Sequence, residues 1–373
     1  MTVQTRGLQG VIVGDTAIST VGKEGIGLTY RGYDIHDLAT HATFEEVAYL
    51  LIHGKLPTLT ELQSYRQQLI KMRVLPDKLK LLLETIPDGA HPMEVLRTSL
   101  SMLGTLEMES KEYTAHHIAD RLVACTPSIL VYWYYFHNNN VRIQTAESDE
   151  SSIAGYFLHL LLGKKPDEDI RRCMDVSLIL YAEHEFNAST FAARVTASTE
   201  SDFYSAIVTA VGTLRGALHG GANEEAMHLI STFKTPEQAE KGIKDMLEKK
   251  VKIMGFGHRV YKKSDPRSDI IKMWSQKLST RARDGYLYTI SERIEKIMWD
   301  EKKLFPNLDF YSATAYHFCS IPTPLFTPIF VMSRLSGWSA HILEQRANNR
   351  LIRPEANYIG PPKRLFPSIQ ERG

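Results

Sequence analysis

The sequence predicts a mainly α-helical protein in two parts, one large and one small, with a short β segment at its N-terminus. Apolar residues recur every three or four positions along most of the chain, the period of a helix with one face in a core. Capping boxes stand at the heads of two of these stretches. Apolar runs punctuated by glycine, the mark of small strands and turns, are concentrated ahead of Asp34.

In that first part, Val11-Ile12-Val13 with Gly14, Gly22, Gly25 and Gly27 reads as short strands and turns. After Asp34 the character changes. In Thr43-Phe44-Glu45-Glu46 the threonine hydroxyl can accept the third helical amide while Glu46 reaches back to the cap amide. Phe44, Val47, Ala48 and Leu51 then share a face, and Gly54 and Pro57 end the helix. Thr58 to Glu61 opens the next one in the same way. Helical spacing continues through Leu69, over Met93 to Leu103 and over Ile118 to Phe136, where Pro127 should kink the helix because it supplies no amide and crowds the preceding turn. Further helices are expected over 153–162, 170–182, 203–218, 239–247, 290–299 and 329–345. Polar, glycine-marked breaks at His219-Gly220-Gly221 and near Asp309 to Thr314 are the expected hinges. They divide the chain into a large helical domain, 1–219 with 315–373, and a small mobile one, 220–314, inserted in it.

At 373 residues, 43% hydrophobic and 23% charged, the chain has a globular composition and room for a substantial core. Lys plus Arg is 44 against Asp plus Glu at 43, so no net field recruits nucleic acid or an anionic membrane, and an anionic ligand must be held by a local cluster. The longest strongly apolar run, Ile129 to Phe136, is far short of the roughly 20 residues that cross a bilayer. The first ten residues carry neither a signal core nor an arginine-rich presequence, which predicts a cytoplasmic protein. Cys125, Cys173 and Cys319 are odd in number and widely spaced, so neither a disulfide framework nor a structural zinc site is expected.

Three histidines stand beside glycine or small residues in loop-like contexts: His184 in Ala-Glu-His-Glu-Phe-Asn, His219 in Leu-His-Gly-Gly-Ala-Asn, and His258 in Gly-Phe-Gly-His-Arg-Val-Tyr. Glycines there permit a ligand to approach the backbone. With 14 histidines in the chain, surface or core placement is the ordinary fate of any one, so context must single these out. A hydrolytic zinc site built from the three is one reading. It lacks the tight His-x-x-x-His spacing that metal sites usually show, and no metal is expected.

Three motifs supply the context: Leu218-His219-Gly220-Gly221-Ala222-Asn223, then Gly255-Phe256-Gly257-His258 leading to Asp265-Pro266-Arg267, then Asn307-Leu308-Asp309-Phe310-Tyr311-Ser312. In this order they resemble the catalytic set of the citrate synthase family. The likeness runs from Gly10 through Tyr30-Arg31-Gly32-Tyr33-Asp34 to Arg353-Pro354, essentially the whole chain. It implies the two-domain multihelical fold of that family and an acyltransferase that condenses a short acyl-CoA with oxaloacetate.

The resemblance makes Asp309 the general base, His219 a donor to the thioester oxygen and His258 a donor to the oxaloacetate ketone. Such a division suits the chemistry: a proton beside a thioester is far less acidic than a carboxylic acid, so a carboxylate removes it only if the enolate is stabilised in the same step. His184, Arg267, Arg334 and Arg353 match the family's oxaloacetate contacts, guanidinium forks being suited to carboxylates. Arg353 would come from the neighbouring subunit of a homodimer. Lys252, Ile253, Met254, Gly255, Phe256 and Gly257 resemble the loop that meets the CoA adenine, and Lys262 the phosphate contact. No cofactor is implied, the CoA thioester being a substrate.

Within the family, Tyr132 to His137, Tyr181 to Phe186, and Arg350 to Pro354 followed by Asn357-Tyr358-Ile359-Gly360-Pro361 resemble bacterial 2-methylcitrate synthases. That implies propionyl-CoA as donor with acetyl-CoA still usable, since one methylene changes discrimination by only about 1–3 kcal/mol. Arg259 and Lys262-Lys263 are more basic than the family pattern, and Ala217 stands where proline is common. Two alternatives stay open: an acetyl-CoA-using citrate synthase, and a non-catalytic CoA-binding regulatory protein on the same fold.

Overall fold

The structure, a computed structural model, describes residues 6–8, 10–23, 27–146 and 148–372; Gly25 lies outside them. Strands β1 (Ser19–Lys23), β2 (Gly27–Tyr30) and β3 (Tyr33–Asp34) form an antiparallel sheet in that order, with Thr20 opposite Thr29 and Tyr30 opposite Tyr33. Val11 to Val13 form no strand and are exposed, having no neighbouring strand to complete a ladder.

The helices follow as α1 (Ile35–His41), α2 (Phe44–His53), α3 (Leu59–Lys71), α4 (Asp77–Thr85), α5 (Pro92–Leu106), α6 (Ala115–Asn139), α7 (Ile153–Leu162) and α8 (Glu168–Tyr181). Then come α9 (Ala188–Ser198), α10 (Phe203–Leu214), α11 (Ala222–Ser231), α12 (Pro236–Glu248), α13 (Ser268–Ser279), α14 (Tyr286–Lys302), α15 (Leu308–Phe318) and α16 (Phe326–Ala347). The chain is mainly α with a small N-terminal sheet, as its sequence predicts.

Local chemistry sets several of these ends. Glu46 accepts both the amide and the hydroxyl of Thr43 at 2.8 Å, and α2 stops at Gly54, whose φ is 85°. At α3, Thr58 and Glu61 exchange bonds of 2.8 and 3.3 Å. Helix α6 runs as one element through Pro127. Two further expectations fail. The helix over 203–218 stops at Leu214, where the amides of His219 and Gly220 turn back to the carbonyl of Gly216 at 2.8 and 3.1 Å. Asp309 to Thr314, read as a break, lies inside α15, which Asn307 caps by accepting the Asp309 amide at 3.0 Å.

Helix α16 is the central pillar. Every residue from Phe326 to Ile342 is buried, and the helix packs against α2, α6, α8, α9 and α10. A helix covered on all sides must let other backbones come close. Gly337 does so for the loop after α8: a Cβ there would lie 2.3 Å from the Ala182 carbonyl oxygen. Helices α11 to α15 pack among themselves, with α13 and α15 reaching α8 and α11 reaching α16. Among the described residues no helix is long and apolar enough to cross a membrane. The three cysteines are buried free thiols.

Two buried carboxylates tie this scaffold together. Asp175 accepts the first amide of α2 (Phe44, 3.0 Å) and Glu45 accepts the first amide of α7 (Ile153, 2.7 Å). Burial, then the nearby Asp175, raises the Glu45 carboxyl to about 7, while the Ile153 amide and Arg66 at 3.5 Å pull the other way. A carboxyl whose folded value lies above its unfolded one binds more protons when folded, so it stabilises the fold at low pH. That contribution declines as pH rises from about 4.5 to about 7. Glu45→Gln is therefore expected to gain stability relative to wild type between pH 5 and pH 8, by about 1–3 kcal/mol. Denaturant midpoints at the two pH values would show it; parallel pH profiles for the two proteins would refute it.

Candidate active site

Three loops and two helices carry six of the predicted residues. The loop between α8 and α9 carries His184, the loop between α10 and α11 carries His219, and the long segment between α12 and α13 carries His258 and Arg267. Asp309 is the second residue of α15, and Arg334 lies two turns into α16.

The segment before α13 is stitched to the start of α15. Gly257 donates to the Phe305 carbonyl at 2.8 Å, and Asn307 returns bonds to the carbonyls of Gly255 (2.9 Å) and Gly257 (3.0 Å). Asp265 then holds Arg267 in a two-pronged pair, 2.9 and 2.8 Å, and also accepts the Leu308 amide at 3.1 Å. The sequence thus couples the placement of His258, Arg267 and Asp309 through backbone groups.

Two of the three histidines are in direct contact. His184 and His258 meet edge to face at 5.0 Å, and Tyr261 touches both, its hydroxyl 3.1 Å from His184 Nε2. His258 Nδ1 accepts the amides of Val260 and Tyr261 at 3.1 and 3.2 Å. An atom accepting N–H bonds carries no proton, so neutral His258 holds its proton on Nε2, which has no partner among the described residues. His219 is the mirror case. Its Nε2 accepts the Ser189 amide at 3.2 Å, beside the Ser189 hydroxyl at 2.8 Å, which leaves the proton on Nδ1.

Burial, reinforced by nearby positive charge, holds these rings neutral. Burial first, then Arg267, lowers His258 to about 4. Burial and Arg334 lower His219 to about 4. His184 falls well below its usual range through burial, Arg267, His258 and Arg334. Asp309 shifts the opposite way: burial raises it, against the Tyr181 hydroxyl, which donates to Oδ1 at 2.6 Å, and against both arginines. Arg334 donates from Nε to the Tyr181 carbonyl at 2.6 Å and lies over the Phe330 ring at 4.7 Å.

Arg353 is not brought to this cluster. It is exposed in the extended segment after α16 and makes no hydrogen bond or ion pair with the described residues. In the candidate CoA loop, Ile253 is a core residue and Phe256 packs on Phe310 at 4.4 Å, whereas Lys252 and Lys262 are exposed, with Lys262 Nζ donating to the Arg259 carbonyl at 3.0 Å. Arg259 and Lys263 are also exposed, and so is Ala217. Leu218, beside His219, is 96% exposed. No group of three or more histidine, cysteine or acidic side chains placed to hold a metal occurs among the described residues. The sequence reading overlooked Tyr181, Tyr261, Asp265 and Ser189. Tyr181 opens the quoted Tyr181 to Phe186 run and Ser189 lies three residues beyond it, Tyr261 ends the quoted His258 motif, and Asp265 belongs to Asp-Pro-Arg; only the fold shows what they touch.

A family model described as citrate synthase, C-terminal domain, matches residues 7–355. The chain is 57% identical to a 2-methylcitrate synthase of Shewanella oneidensis, covering 97% of this chain and 96% of that one. It is 45% identical to citrate synthase 2 of Bacillus subtilis over 99% of each. The citrate synthase of Thermoplasma acidophilum, solved as a ternary complex with carboxymethyl coenzyme A and oxaloacetate, superposes with a TM-score of 0.90 at 34% identity over 98% of each chain. Fold and comparisons define an acyltransferase of the condensing type. The chain belongs to the citrate synthase family.

The hydrogen-bond pattern predicts opposite tautomers. Selective 15N labelling of histidine should show His219 with its proton on Nδ1 and His258 with its proton on Nε2, both still neutral at pH 5.5. The same tautomer at both positions, or an imidazolium at that pH, would contradict the geometry.

Proposed function

We propose that this chain condenses propionyl-CoA, and less efficiently acetyl-CoA, with oxaloacetate and water, giving 2-methylcitrate or citrate and free CoA. Asp309 takes a proton from the carbon beside the thioester carbonyl, and His219 Nδ1–H donates to the oxygen that gains charge. The carbon nucleophile attacks the oxaloacetate ketone, polarised by His258 Nε2–H. Water then cleaves the thioester of the adduct, releasing CoA. His184, Arg267 and Arg334 hold oxaloacetate. Residues 252–257 with Lys262 receive CoA.

The observation that carries the reading is a pair of neutral imidazoles, each with its N–H free of other side chains among the described residues, His219 near Arg334 and His258 near Arg267, with both arginines also acting on a buried carboxylate of raised pKa. No cofactor is invoked. The 57% identity to a 2-methylcitrate synthase favours propionyl-CoA. The 45% identity to a protein named citrate synthase keeps acetyl-CoA as the competing donor. We assign residues 220–314 to a small helical domain that closes over the large one, and place the enzyme in the cytoplasm.

The active unit we infer is a homodimer, with Arg353 completing the partner's oxaloacetate site. Support comes from the segment after α16, where Ile359, Leu365 and Phe366 are 90%, 96% and 86% exposed, an apolar arm that one chain leaves uncovered.

Release of CoA should require oxaloacetate and should fall by about 10²–10⁴-fold in Asp309→Ala. Propionyl-CoA should exceed acetyl-CoA in kcat/KM by up to about 200-fold. A higher kcat/KM for acetyl-CoA would overturn the donor assignment, and release without oxaloacetate would overturn the reaction.

Shared sites make a separate prediction. Arg353→Ala and Asp309→Ala should each be nearly inactive, yet mixed dimers of the two contain one intact site. Co-assembly should then restore about a quarter of wild-type activity. No recovery in demonstrated mixed dimers would show that Arg353 does not act across the interface.

A further inference from the structure

The loop carrying His219 is tied at both ends to one turn of α5. Ahead of the histidine, Arg215 donates to Glu94 at 2.9 Å, an exposed pair of the kind that contributes little. Beyond it, Glu224 in the first turn of α11 is mostly buried and better connected. One of its oxygens accepts from His91 Nε2 at 3.2 Å. His91 is the N-cap of α5, and its Nδ1 accepts the Met93 amide at 3.1 Å, so the proton lies on Nε2 and points at Glu224.

The other oxygen of Glu224 accepts the Thr327 amide at 3.1 Å and the Thr327 hydroxyl. Thr327 stands at the head of α16, where Leu325 in the cap position has no side chain able to accept. One carboxylate therefore meets the first turns of α5, α11 and α16, where unpaired amides and the helix dipoles favour negative charge. Between the anchors the backbone has little slack: a Cβ on Gly220 would lie 2.2 Å from the Leu214 carbonyl oxygen.

We propose that Glu224 is the positioning residue for His219, joining the heads of α5 and α16 to the start of α11 so that Nδ1–H of His219 keeps its direction into the cleft. Glu224 need not touch substrate. The inference rests on the reading of His219 as the donor to the thioester oxygen, and its closing experiment includes a measurement that needs no turnover.

Glu224→Gln replaces an acceptor with a donor facing His91, and Thr327→Val removes one bond should the first variant fold poorly. Hydrogen exchange of the full-length protein should quicken at residues 215–222 by about tenfold or more while peptides from α8 stay as in wild type. Oxaloacetate dissociation, measured by calorimetry, should change less than about twofold, while kcat falls by about tenfold or more. Unchanged exchange at 215–222 in both variants overturns the proposal. So does a loss of oxaloacetate affinity in step with kcat, the mark of a merely structural role. Wild-type protein lacking oxaloacetate-dependent CoA release would sink the functional reading, and exchange would still decide whether Glu224 holds the loop.

Discussion

Two buried guanidinium groups set the conditions for everything around them. Arg267 is neutralised in part by its pair with Asp265, whereas Arg334 donates to a backbone carbonyl and lies over an aromatic face. Their shared positive potential, added to burial, keeps the histidines at 184, 219 and 258 uncharged. Backbone geometry acts in the same sense. Protonating His219 Nε2 or His258 Nδ1 would face an N–H against the amides those atoms now accept, so electrostatics and hydrogen bonding enforce the same neutral, directional donors.

Holding two such cations in a core needs a counterweight, and the scaffold provides one beneath the site. Glu183, next to His184 in sequence, is fully buried and accepts from Ser19 at 2.9 Å and from His341 Nε2 at 2.8 Å. Its second oxygen has no hydrogen bond among the described residues, and it lies so near Gly337 that a Cβ there would come within 2.4 Å. Burial opposes its charge, but His341 and Arg334 outweigh that and keep it ionised. His341 in turn accepts from Arg194 at 3.1 Å, so β1, α9 and α16 are joined through one chain of polar contacts. A buried pair of this kind is weak evidence of stability but fixes geometry, since breaking either partner strands a charge.

Much of this was legible in the sequence, for reasons that differ by element. The heads of α2 and α3 were readable because a capping box is a local device whose residues sit three apart. Helices α9, α11 and α13 were not anticipated. They follow the histidine and arginine motifs directly, where glycine and polar residues suggested loop. Asp309 was read in a break because it follows Pro306 and polar residues, yet Asn307 is a cap and α15 runs from Leu308 through the whole of the expected break. The tail of α10 was overdrawn because Ala217 and Leu218 continue its apolar pattern, while Gly216 and the turn that returns to its carbonyl end it. The residues of the candidate site were named from motif order; the contacts of Tyr181, Tyr261 and Ser189 depend on segments far apart in sequence.

Those distant contacts decide how a weak base can be kept ready. A carboxylate strengthens as a base when its pKa rises, but one raised too far is protonated and cannot accept. Burial pushes Asp309 up, and the Tyr181 hydroxyl, Arg267 and Arg334 restrain it. Tyr181 also lies 2.7 Å from the Ser312 hydroxyl, and Ser312 donates to the Asp309 carbonyl at 3.1 Å, so the restraint comes with a defined orientation. In the proposed reaction the carboxylate must meet a carbon acid while the two arginines also bind substrate carboxylates. Each bound carboxylate offsets some of the positive potential acting on Asp309, which raises its basicity at the moment oxaloacetate arrives. A base tuned by the charge of the second substrate would be strongest only when that substrate is present, and wasteful deprotonation of acyl-CoA alone would be disfavoured on the same grounds.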